Sequence, residues 1–72
     1  MSFAFDVALR GYDRVQVDQL LDQAEQAVAS DAWHQRRAAV DALRSAEFPI
    51  RLRGYDRTQV DQLIQELIGE LA

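Results

Sequence analysis

Shifting the 72-residue sequence by 43 positions lays Phe5–Leu21 over Phe48–Ile64, and twelve of the 17 superposed positions are identical. Val7/Ile50 and Leu21/Ile64 differ only conservatively. Two segments so alike adopt the same local structure, so any fold for this chain must seat two equivalent units around one core. The length allows no more than one: residues 1–72 are expected to form a single domain of two repeat motifs, 5–21 and 48–64, bridged by a helix over about 31–45. A chain this short buries only about 60% of the surface its unfolded form exposes. Cys is absent and His34 is the single imidazole, so neither disulfides nor a zinc site supplies further support, and no cofactor is expected. Oligomerisation is the remaining source.

Each motif divides into an arm and a helix. Along the first arm Phe5, Val7 and Leu9 alternate with Asp6, Ala8 and Arg10; along the second, Phe48, Ile50 and Leu52 alternate with Pro49, Arg51 and Arg53. Period two is extended chain with one buried edge, which places Leu9 and Leu52 on that edge. Gly11 and Gly54 follow, where a residue free to take positive φ lets the arm turn into a helix. Asp13 and Asp56 are placed as N-caps, with Gln16 and Gln59 at the reciprocal capping-box position and Tyr12 and Tyr55 at the spacing of a hydrophobic staple to Val17 and Val60.

The first helix, about 14–29, carries Val17, Leu20, Leu21, Ala24 and Val28 on one stripe, and the last, 57–71, carries Val60, Leu63, Ile64, Leu67, Ile68 and Leu71. Between them, residues 27–47 contain no Gly or Pro. Periodicity argues against a single long helix packed on one core, because Trp33, Val40 and Leu43 lie one residue, about 100°, off the continued stripe. Ser30 or Asp31 is expected to cap a new helix of about 31–45, which ends before Phe48-Pro49. The fold class is therefore all-α: three helices with two short extended arms, paired as a small β-ribbon within a chain or exchanged between two chains as a homodimer, and related by a pseudo-two-fold repeat.

The string Phe-x-x-x-Leu-Arg-Gly-Tyr-Asp-Arg-x-Gln-Val-Asp-x-Leu, at Phe5 to Leu20 and again at Phe48 to Leu63, resembles the N-terminal head motif of DivIVA-type proteins, in the short repeated form of actinobacterial DivIVA-domain proteins. The match covers about half the chain, and eight arginines, no lysine and eleven alanines suit a high-GC genome. The resemblance implies a non-enzymatic scaffold of cell division or polar growth, cytoplasmic and recruited to septum or pole. It also implies a dimeric head and a loop ahead of the helix that touches the membrane. Two departures stand out: the heptads stop after the first helix, and the aromatic that precedes Arg-Gly-Tyr in the family's better-known members is Leu9 in one copy and Leu52 in the other.

Other chemistries find little footing. His34 is the only base available to Ser2, Ser30, Ser45 or Thr58, and no nucleophile elbow or glycine-rich cradle surrounds them. Asp18/Asp22 and Glu66/Glu70 read as solvated helix faces. Nucleic acid is not an expected partner, because Arg36, Arg37 and Arg44 are balanced by Asp31, Asp41 and Glu47. Trp33 shares a face with Val40 and Leu43 and is expected in the core. No stretch free of Asp, Glu and Arg exceeds five residues, so no membrane span is expected.

The charge is unevenly placed. Residues 1–14 and 48–57 carry five arginines against three acids, +2, whereas the remainder carries three against nine, −6, giving the net −4. Arg10 and Arg53 are expected to brace the turns by pairing with Asp13 and Asp56 or with helix carbonyls. As an interaction surface, the basic end comprises Leu9, Arg10, Leu52, Arg53 and Arg57. It would serve an unknown protein partner or, alternatively, anchor a peripheral adaptor to a membrane surface through the Leu-Arg tips.

Overall fold

The computed structural model describes residues 4–72; Ser2, named above among the hydroxyls, lies outside the described residues. The elements are β1 (Val7–Ala8), β2 (Gly11–Tyr12), α1 (Arg14–Val28), α2 (Trp33–Arg44), β3 (Ile50–Arg51), β4 (Gly54–Tyr55) and α3 (Arg57–Leu71). Helices dominate, but the arms form a true four-stranded antiparallel sheet, so the all-α description holds only roughly.

The sheet order is β1-β4-β2-β3, and it shows that neither arm folds back on itself. The outgoing half of each arm pairs with the returning half of the other: Val7 faces Tyr55 and Ala8 faces Gly54, while Ile50 faces Tyr12 and Arg51 faces Gly11. At the centre Tyr12 lies opposite Tyr55. The arms thus interlock within one chain. Gly11 and Gly54 lie where the two backbones cross, and this corrects the expectation of positive φ, which neither adopts. Both are buried. A Cβ on Gly11 would fall inside the radii of the Tyr55 carbonyl oxygen and the Gly54 carbonyl carbon, and one on Gly54 would meet the same atoms of Tyr12 and Gly11. Close approach of main chain to main chain, rather than turn conformation, is what requires glycine here.

The interlock also rewrites the caps. Asp13 and Asp56 accept from the N–H groups of Gln16 and Gln59, each at 3.0 Å, as the spacing predicts. Their own N–H groups donate to the opposite arm, Asp13 to the Pro49 carbonyl at 2.9 Å and Asp56 to that of Asp6 at 2.8 Å. With the cap amides satisfied, the reciprocal half of the capping box has nothing to do. Gln59 turns instead to Asp6, accepting from its N–H at 2.8 Å and donating to Oδ2 at 2.9 Å.

α1 and α2 separate where the phase slip places the break, but α2 opens at Trp33, not at Asp31. Its N-cap is Ala32, which has no side-chain cap; Ser30 Oγ accepts from the Ala32 N–H at 3.1 Å and so shapes the turn rather than capping the helix. The core lies between the three helices: Val17, Leu21, Ala24 and Ala27 of α1, Val40 and Leu43 of α2, and Val60, Ile64, Leu67 and Leu71 of α3. Trp33 is not part of it. Placed on the first residue of α2, it is 69% exposed, with the His34 ring edge-on at 6.4 Å. Arg36 closes this end of the bundle, donating to the Val28 carbonyl at 3.2 Å and the Glu70 carbonyl at 2.8 Å, where the helix dipoles of α1 and α3 leave partial negative charge.

Candidate interaction surface

The arms rise off the N-terminal ends of α1 and α3, and burial falls along them. Phe5 and Phe48 are half-buried against the core, each in tilted ring contact with the tyrosine of the other motif, Phe5 with Tyr55 at 5.0 Å and Phe48 with Tyr12 at 5.2 Å. Beyond them Val7 and Ile50 are 56% and 41% exposed, and Leu9 and Leu52 are 73% and 76% exposed. The alternation therefore describes extended chain but not burial, and the expectation that Leu9 and Leu52 sit on a buried edge is corrected: only the first apolar residue of each arm reaches the helices.

The tyrosines fix the base of this projection. Tyr12 Oη donates to Asp61 at 2.9 Å and Tyr55 Oη to Asp18 at 2.8 Å, so each arm is tied to the helix of the other motif. Burial, and then the hydrogen bond to a carboxylate, raise both phenols above their ordinary 10.0. Arg51 donates through Nε to Asp13 Oδ2 at 2.9 Å. The Asp13 carboxyl is lowered, first by the Gln16 N–H and then by this guanidinium. Position 8, equivalent to Arg51, is alanine, and among the described residues Asp56 has no ion-pair partner of this kind.

Leu9 and Arg10 form the turn between β1 and β2, and Leu52 and Arg53 the bend between β3 and β4, at the same end of the antiparallel sheet. Arg10 and Leu52 line one shallow depression of about 220 Å³ with Ile50 and Arg51. All four tip residues named from the sequence are thus brought to one end of the molecule. Arg10 and Arg53 make no ion pair or hydrogen bond among the described residues, which corrects the expectation that they brace the turns; Arg51 has that role, on one side only. Arg57 does not join the tip: it starts α3 and its charge acts on the Tyr12 phenol. Gly11, Tyr12, Asp13, Gly54, Tyr55 and Asp56 are the frame that holds the tips. Two features escaped sequence reasoning, the crossing of the arms and the Arg36 closure, because both join residues far apart in sequence and neither has a local pattern.

Among the described residues no helix is long and apolar enough to cross a membrane, and no group of three or more His, Asp or Glu side chains is placed to hold a metal ion. Comparison with protein-family models, curated proteins and solved structures gave no match.

Proposed function

We propose that this chain is a non-enzymatic interaction module of DivIVA-like type, acting at the division site or pole, and that it binds through its paired tips. The observation that carries the reading is the exposure of Leu9 and Leu52 beside two arginines that lack partners among the described residues. Large apolar side chains at the end of a projection, rimmed by unpaired charge, are features of a contact surface. A homodimer, as in the family head, belongs to this proposal.

The second reading is a peripheral membrane adaptor. It is favoured by the composition of the tip segments: residues 7–10 and 50–53 hold Arg10, Arg51 and Arg53 and no acid, so the basic end would meet anionic lipid ahead of the acidic helices. Co-sedimentation with vesicles separates the readings. Binding to anionic but not zwitterionic vesicles, abolished by Leu9→Asp/Leu52→Asp, supports the adaptor. No binding to either, with a fluorescent fusion still focused at septum or pole, supports a protein partner. A fusion spread evenly through the cell, with no vesicle binding, overturns both.

A further inference from the structure

The turn between α1 and α2 contains Ala29, Ser30, Asp31 and Ala32, and no Gly or Pro occurs anywhere from 27 to 47. Ala29 keeps helical torsions, φ −76° and ψ −8°, whereas Ala32 is extended, φ −75° and ψ 110°. A helix running straight through would bond the Ala32 N–H to the Val28 carbonyl. Each of those groups is engaged elsewhere. The amide donates to Ser30 Oγ at 3.1 Å, and the carbonyl accepts from Arg36 at 3.2 Å. Two hydrogen bonds thus occupy one donor and one acceptor that a fused helix would pair with each other, and nothing in the covalent chain forbids fusion.

We infer that residues 29–32 are a domain-swap hinge and that the partner it serves is a second copy of this chain. Straightened, residues 14–44 form one helix of about 46 Å (31 residues at about 1.5 Å each), longer than the 38 Å extent of the whole folded chain. That carries the first motif beyond reach of its own second motif. It then interlocks with the second motif of another copy, and the exchange closes as a two-fold dimer. The contacts of the closed chain, Phe5 on Tyr55, Phe48 on Tyr12 and the crossing at Gly11 and Gly54, are remade between chains with the same atoms. The 100° offset between the α1 and α2 stripes suits this form, because each stripe then faces a different bundle.

The test is the oligomeric state of the whole chain from micromolar to millimolar concentration, by sedimentation equilibrium. Ser30→Ala/Asp31→Ala removes the hydroxyl that holds the Ala32 amide and installs two stronger helix formers at each of two hinges, so the dimer dissociation constant should fall by about tenfold or more. Trp33→Pro should do the reverse. Proline needs no N–H at the first position of α2, and Ala32 already has the conformation that a residue before proline prefers, while a continuous helix through 33 is broken. In a dimer mixed from labelled and unlabelled chains, the Phe5–Tyr55 ring contact should appear between chains. A Ser30→Ala/Asp31→Ala chain that stays monomeric at millimolar concentration overturns the inference. So does a dimer that survives Trp33→Pro or lacks the interchain contact. Should Trp33→Pro fail to fold, the interchain contact decides alone.

Discussion

Residues that look interchangeable in the two motifs differ in what substitution should cost, and exposure decides. Leu9 and Leu52 are more than two-thirds exposed, so Leu9→Asp/Leu52→Asp should leave the thermal melt within about 0.5 kcal/mol of the parent, the range of surface changes away from special features. Gly11→Ala adds one methyl yet should cost at least about 1–3 kcal/mol in urea unfolding, because the atoms it meets are main chain of the other arm and cannot swing aside. Glycine was legible as a special position; its reason was not, since a local string shows where conformational freedom is useful but not which distant backbone crosses there. Asp13 carries a pH dependence of definite sign. Its folded pKa lies below the ordinary 3.8, so its contribution is present above that value and fades as pH falls through the lowered one. Asp13→Asn should flatten the acid limb of stability against pH, measured by urea midpoints from pH 6 to 2, and an unchanged limb would count against the Gln16 and Arg51 contacts.

Between elements the repeat is less symmetric than its sequence. Gln16 and Gln59 occupy equivalent helix positions, but the arm residue facing Gln59 is Asp6, which offers both an N–H and a carboxylate, whereas its counterpart is Pro49, which has no N–H. Gln59→Ala should therefore lower stability by about 1 kcal/mol, and Gln16→Ala by much less, in paired denaturant titrations. Equal losses would show that the Asp6–Gln59 contact is idle. α1 and α3 are readable almost to the residue, since amphipathic stripes and Asp caps are local signals: α3 runs over 57–71 as the pattern dictates, whereas α2, which lacks a side-chain cap, starts two residues later than expected. Trp33 was misplaced for an equally physical reason. Periodicity assigns a face, not a depth along the bundle, and a residue on the core-facing side of a first turn can still stand past the end of the helix it should meet. Along the arms the same limit applies, because period two gives side-chain parity while the rise of the strands off the helices sets how far burial extends.

For the molecule as a whole, the pseudo-two-fold repeat sends both Leu-Arg tips to one end and leaves the acidic helices behind, an arrangement that neither motif has alone. Net charge of −4 would by itself keep the chain from an anionic surface. The spatial division reverses that locally, because the basic segments lead and screening limits each charge to about 10 Å at 0.1 M salt, less than the 38 Å length of the chain. Approach is then favourable in one orientation only, tips first. The two tip arginines and the two leucines contribute differently to such a contact: arginines near an anionic surface add about 1 kcal/mol each and are weakened by salt, whereas leucine burial is not. If the tips meet anionic lipid, Arg10→Ala/Arg53→Ala should weaken vesicle binding by about 30-fold, from about 2 kcal/mol, and remove most of its salt dependence. Leu9→Ala/Leu52→Ala should weaken binding while leaving the salt slope in place. Titration of anionic vesicles at 50 and 300 mM salt with the parent and both variants checks this, and a salt slope that persists without Arg10 and Arg53 would assign the contact to other arginines and not to the tips.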